Sequence, residues 1–144
     1  MPPEVRVLAG AAERAAAVAL RFEVFVDEQR CPADEEVDAL DAEATHFGVF
    51  LDGRLEACAR VVDVGGGGAK IGRVAVRAAR RGEGLGRVVM DEVLAWCRAR
   101  GFRRAVLDAQ CQALAFYERL GFVPEGEVFL EAGIEHRHMT RPLG

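Results

Sequence analysis

Arg81-Gly82-Glu83-Gly84-Leu85-Gly86 puts glycine at every second position between Ala69 to Val76, which reads as a strand, and Gly84 to Arg100, which reads as a helix. Without Cβ atoms, Gly82, Gly84 and Gly86 let backbone N–H groups approach a ligand closely. The helix that starts here leaves its first amides without intrahelical partners and presents the positive end of its dipole. Such a turn is an anion cradle, suited to a phosphate or pyrophosphate. It is neither of two better-known phosphate loops, because G-x-x-x-x-G-K-[ST] is absent and the spacing is G-x-G-x-G rather than G-x-G-x-x-G. Taken alone, the segment is equally consistent with a glycine-rich turn that binds nothing.

Downstream of the turn, Leu85, Val88, Val89, Val93, Leu94, Trp96 and Cys97 trace one helical face, and Gly101 is a natural stop. Arg104 to Asp108 then reads as a short buried strand. Gln112 to Leu120 reads as a second helix with Ala113, Phe116, Tyr117 and Leu120 on one face and Gly121 closing it. Strand, helix, strand, helix in this order predicts a parallel strand pair at the sheet centre. Upstream, Val5 to Leu8 reads as a strand and Ala11 to Glu28 as a helix that Cys31-Pro32 ends. His46 to Leu51 and Leu55 to Val64 form a hairpin around Asp52-Gly53, a pair that readily adopts tight-turn conformations. The run from Gly65 to Gly68 reads as a flexible hairpin loop. Phe122 to Leu130 and Glu135 to Arg141 add a terminal antiparallel pair. Glu35 to Ala44, rich in carboxylates and poor in large apolar groups, reads as a short exposed helix or loop of solvated surface.

A chain of 144 residues fits one domain, residues 1–144, with a core large enough to need no metal or disulfide support. A formal net charge of -4 and a pI near 5.4 give no general attraction to nucleic acid. No apolar run approaches the roughly 20 residues of a membrane span, and Met1-Pro2-Pro3-Glu4 lacks the pattern of a secretion signal, so no membrane partner and a cytoplasmic location are expected. Cys31, Cys58, Cys97 and Cys111 show no C-x-x-C pair and no zinc-type histidine spacing, which predicts reduced thiols, with Cys58 and Cys97 in the core.

Lys70-Ile71-Gly72-Arg73-Val74-Ala75-Val76, then the glycine turn, then Ala115-Phe116-Tyr117-Glu118-Arg119-Leu120-Gly121-Phe122 resemble, in content, order and spacing, the signature of the GNAT (Gcn5-related) N-acetyltransferases. The turn matches their [QR]-x-x-G-x-[GA]. Phe25-Val26 followed by Glu28-Gln29, Asp41 before His46, Ala109-Gln110, and Gly133-Ile134 followed by His136 and Met139 are similar to the ElaA-like bacterial branch. The resemblance implies an α/β (α+β) GNAT fold: a mixed, mostly antiparallel central sheet with a splayed parallel strand pair, flanked by helices. It further implies transfer of an acetyl group from acetyl-CoA to a primary amine of a small molecule or peptide, by direct attack in a ternary complex and without a metal. Oligomeric state stays open, a homodimer included.

The resemblance also assigns places. Backbone amides of Arg81, Gly82, Glu83, Gly84, Leu85 and Gly86 would hold the CoA pyrophosphate, with Arg80, Arg81 and Arg87 adding charge. Val74, Ala75 and Val76 would carry the pantetheine through backbone groups. Tyr117, the only tyrosine, falls where many of these enzymes place the phenol that protonates the leaving thiolate; its helix-face spacing equally fits a core aromatic. The glutamate that some members carry on the strand before the turn is Lys70 here. The candidate bases are therefore Glu28, His46 and His136, with Asp38 and Asp41 as further options, and Arg73 and Gln110 are pocket or framework groups. Two other readings stand beside catalysis: a noncatalytic acyl-CoA-binding or sensing module, admissible because that glutamate is missing, and a generic α/β protein with a phosphate ligand.

Overall fold

The computed structural model describes residues 2–144. Seven strands form one sheet: β1 (Glu4–Val7), β2 (Thr45–Leu51), β3 (Arg54–Gly65), β4 (Gly68–Val76), β5 (Arg104–Gln110), β6 (Val123–Glu131) and β7 (Ile134–Pro142), in the order β1-β2-β3-β4-β5-β7-β6. Every neighbouring pair is antiparallel except β4 and β5, the parallel pair expected from the strand–helix alternation. That pairing is short. Gly68 faces Arg104, Ala69 faces Ala105 and Lys70 faces Val106, after which the ladder stops although the strands run on to Val76 and Gln110. The register between β3 and β4 supplies a cause. Between the Cys58–Ala75 and Arg60–Gly72 pairs β4 carries one residue more than β3, and Arg73 takes a left-handed φ of 52°. A bulge of this kind bends its strand and increases its twist, so the second half of β4 parts from β5.

The helices are α1 (Gly10–Arg21), continued by a π-helical segment Phe22–Glu28, then α2 (Ala33–Glu36), α3 (Leu85–Ala99) and α4 (Leu114–Arg119). On one face of the sheet α3 buries Val89, Met90, Val93 and Cys97 against Phe47, Ile71 and Leu107. On the other, Ala17, Leu20 and Val24 pack against Leu55, Cys58 and Ala75. Each large side chain so covered contributes roughly 1.5–3 kcal/mol, which is why the apolar stripe of each helix dictates its docking. Among the described residues no helix is long and apolar enough to cross a membrane.

Three local expectations change. The helix read over Ala11 to Glu28 has that extent, but its last turns widen: Gln29 N–H donates to Val24 O, five residues back. Gly65 to Gly68 is a tight two-residue turn instead of a flexible loop, with Gly66 at φ 60° and Gly67 at φ 80°. Asp52-Gly53, at 51° and 79°, does the same for the preceding hairpin; two positive φ values are what twisted strands need from a two-residue connection.

The third and largest departure lies in the carboxylate-rich segment, which is exposed along most of its length but turns Glu36, Asp38 and Asp41 inward. Arg21, 1% exposed, donates from Nε to Glu36 at 2.8 Å and from its two terminal nitrogens to Asp41 at 2.9 and 3.1 Å. Arg60 grips Asp38 at 2.7 and 3.0 Å and reaches Asp41 at 3.0 Å. Arg73, standing on the bulge, meets Glu36 at 2.9 Å. Three guanidinium groups thus match three carboxylates, the complete pairing that buried charge requires, and the segment is clamped to β3 and β4. Burial alone would raise the Asp41 pKa, but Arg21 and Arg60 hold it far below the usual carboxylate range. Because the folded-state value is depressed, the stabilisation is present above the unfolded value of about 3.9 and is lost as pH falls below it. Melting temperature should therefore drop once pH goes below about 4, and Asp41→Asn, less stable at pH 7, should show a flatter profile. An unchanged slope in that variant would contradict the assignment.

Candidate active site

The splay between β4 and β5 opens a cavity of about 1100 Å³. Ile71 to Val76 form one wall and Leu107 to Gln110 the other; the glycine turn closes one end, and Gln29, Cys31, Pro32 and Glu35 with Ile134 and His136 close the other. A volume at or above the usual range for ligand pockets leaves room for a long flexible ligand and a second molecule.

At the turn, Gly82 lies at φ 86° and Gly84, the residue capping α3, at φ 82°. A Cβ added to either would meet nothing within 4 Å, so the space before these backbone groups is free for a ligand. Gly86 serves packing instead. Its Cβ would lie 3.3 Å from Phe116 and 3.7 Å from Val76, so its bareness lets α3 sit close on α4 and β4. No side chain caps the α3 N-terminus, leaving its amides for an oxyanion. Arg81 is fastened beside the cradle, donating to both oxygens of Glu28 at 2.7 and 2.8 Å and to Val76 O at 3.2 Å. Arg80 donates to buried Glu56 at 3.0 Å, and Glu83 is exposed 3.6 Å from Arg80. The residues present fit a pyrophosphate through main-chain groups first, with the arginines at its margin.

The position of Tyr117 is compatible with both roles weighed for it. Its ring packs edge-on against Phe116 and Phe122, at 5.0 and 6.0 Å between centroids, yet it also lines the cavity. No hydrogen-bond partner for its hydroxyl is found among the described residues. Burial pushes its pKa up to about 12, so the phenol keeps its proton throughout the neutral range.

His136 is buried on the cavity wall with Nδ1 2.7 Å from Ile134 O. A carbonyl only accepts, so Nδ1 carries the hydrogen, and in the neutral ring Nε2 then presents its lone pair. Phe129 stacks on the ring, and Glu131 lies 3.8 Å from Nε2. His46, by contrast, sits 3.0 Å from Asp41 O and off the cavity wall, a structural position. Asp38 and Asp41 are saturated by the arginine network. Glu28 stands at the end of the π-helical segment, occupied by Arg81 and not on the wall.

Lys70, at the position where some members carry a glutamate, lies 3.3 Å from Asp108, and Asp108 also accepts from His138 Nδ1 at 2.8 Å. Burial would raise the Asp108 pKa; His138 and Lys70 outweigh it and leave it low. His138 does not stand out in the sequence, though it follows His136 by two residues on β7 and faces Asp108 in register. Gln110 exchanges paired amide hydrogen bonds with Gln29, at 3.1 and 2.7 Å, tying β5 to the end of the π-helical segment.

A mixed sheet whose parallel pair splays beside a glycine cradle defines the class of acyl-CoA N-acyltransferases, and solved structures agree. An acyl-CoA N-acyltransferase from Pseudomonas aeruginosa superposes with a TM-score of 0.86 at 37% identity, over 97% of this chain and 98% of that one. Escherichia coli ElaA superposes with a TM-score of 0.88 at 32% identity, over 97% and 99%. The uncharacterized N-acetyltransferase YjcF of Bacillus subtilis is 36% identical over 123 residues, 85% of this chain and 87% of that protein. Residues 13–122 match the acetyltransferase (GNAT) family. The chain belongs to that family, and acyl transfer from acyl-CoA is its chemistry.

Proposed function

We propose that the chain transfers an acetyl group from acetyl-CoA to a primary amine of a small molecule or peptide, by direct attack with both substrates bound. The observation that carries this reading is one cavity with an oxyanion cradle at one end and, on its walls, a protonated phenol at Tyr117 and a free imidazole nitrogen at His136. Val74, Ala75 and Val76 line the wall where β4 no longer pairs with β5, so backbone groups on that edge can pair with the amides of a pantetheine chain. The amine nitrogen bonds to the thioester carbonyl carbon as the carbon–sulfur bond breaks. The amine's proton passes to His136 Nε2, directly or through water, and the departing thiolate takes the Tyr117 proton. Glu28 serves this scheme by holding Arg81 at the edge of the cradle.

A ligand that binds only the folded state raises melting temperature by mass action. CoA and acetyl-CoA should each do so, and adenosine diphosphate, which lacks the pantetheine, should do less. No shift at millimolar CoA in well-folded protein would overturn the reading. The pairing of Lys70 with Asp108 at the position where some members carry a glutamate favours a second reading, a noncatalytic acyl-CoA sensor. It predicts the same thermal shift without turnover.

A further inference from the structure

A second hollow, of about 300 Å³, lies between α3, the end of α4 and β7. Arg87, Arg98, Arg119 and Arg141 line it, with Asp91 as the one carboxylate. Four cations around one anion run against a chain whose net charge is -4. Arg21, Arg60, Arg73, Arg77, Arg80 and Arg81, near the acyl-transfer cavity, are all ion-paired. Here Asp91 stands 3.7 Å from Arg87, and among the described residues no carboxylate forms an ion pair with Arg98, Arg119 or Arg141.

The arrangement is also built. Gly121, at φ 90°, leaves the room that Arg141 occupies: a Cβ there would lie 3.1 Å from Arg141 Nε and 3.5 Å from Cζ. Burial, and after it the like charge of Arg98, lowers the Arg141 pKa. Asp91 offsets that charge only in part; guanidinium groups brought together in excess of their counter-ions repel one another, and their planar forks suit a tetrahedral oxyanion bidentately. Arg87 borders both hollows. Arg98 lies three turns further along α3, about 16 Å at 1.5 Å per residue, which removes the Arg98 end from the pyrophosphate cradle.

The geometry points to a binding site for a compact phosphate-type oxyanion, held by Arg98, Arg119 and Arg141 and separate from the acyl-CoA cradle. The volume falls at the lower end of small-molecule pockets, which suits a phosphoryl group with little attached. The ligand is a free phosphate ion or ester, and the 3′-phosphate of bound CoA is the alternative that the test separates from it.

The test is a titration of the full chain with inorganic phosphate at constant ionic strength, following the arginine Nε–H resonances, with and without saturating CoA. Saturable shifts at Arg98, Arg119 and Arg141 that persist with CoA bound are expected. In the double variant Arg98→Gln, Arg141→Gln phosphate affinity should fall at least about tenfold, the loss of roughly one charge-assisted hydrogen bond. CoA and dephospho-CoA affinities should stay as in the parent. The variant's melting temperature without phosphate should hold or rise, since a repulsion has been removed. Shifts that never saturate, or that chloride reproduces, would overturn the site. So would loss in the variant of the preference for CoA over dephospho-CoA, which would assign these arginines to the cofactor's own phosphate.

Discussion

Tyr117→Phe is expected to lower kcat about 10²-fold or more, the usual range for loss of a general acid, while CoA affinity and melting temperature barely change. The substitution keeps the ring that packs on Phe116 and Phe122 and removes only the hydroxyl. Because no hydrogen-bond partner of that hydroxyl is found among the described residues, its loss leaves no buried donor or acceptor stranded, so little destabilisation follows. A pKa pushed up to about 12 keeps the phenol protonated at neutral pH, which a proton donor needs. Equal reductions in kcat and kcat/KM would mark an interaction made only in the transition state. A variant that stays folded, binds CoA and keeps full kcat would remove Tyr117 from the chemistry and leave the family assignment untouched.

The second large effect is on binding. Gly84→Val should abolish the thermal shift with CoA and weaken affinity by about 10²-fold or more, as expected for losing one or two hydrogen bonds to a charged group. Two causes act together. A β-branched residue is strained at φ 82°, and its methyl groups would enter the free space before the cradle. Gly84→Ala shares most of the backbone strain with less bulk, so comparing the two separates strain from obstruction. Unchanged CoA affinity in folded Gly84→Val would sink the cradle.

The sheet and the glycine turn were legible in the sequence because local signals act there. Alternate glycines mark the turn, Asp52-Gly53 marks a hairpin, and apolar spacing from Leu85 to Cys97 marks α3. The buried ion network was not legible, because a run of carboxylates looks solvated until its partners are known, and those partners lie on α1, β3 and β4. One trace was present: Arg21 falls beside Leu20 within the apolar stripe of α1, where a charge needs a partner. The bulge at Arg73 was equally hidden, since nothing in Gly72-Arg73-Val74 announces a positive φ on arginine. It matters all the same, because the bulge parts β4 from β5 and so opens the cavity. Of the candidate bases, Glu28 and His46 are engaged elsewhere, by Arg81 and the Asp41 carbonyl, contacts over 53 and 5 residues. His136 stays free at Nε2 through a bond to a carbonyl only two residues away.

Acyl transfer to an amine is tested most directly by thiol release. Purified protein is mixed with acetyl-CoA and a panel of amines, polyamines, amino acids and peptides, with CoA binding measured in parallel. CoA binding together with amine-dependent release of free thiol and an acetylated product is the expected result. Tight CoA binding with no thiol release across the panel would contradict the transfer and leave the acyl-CoA sensor.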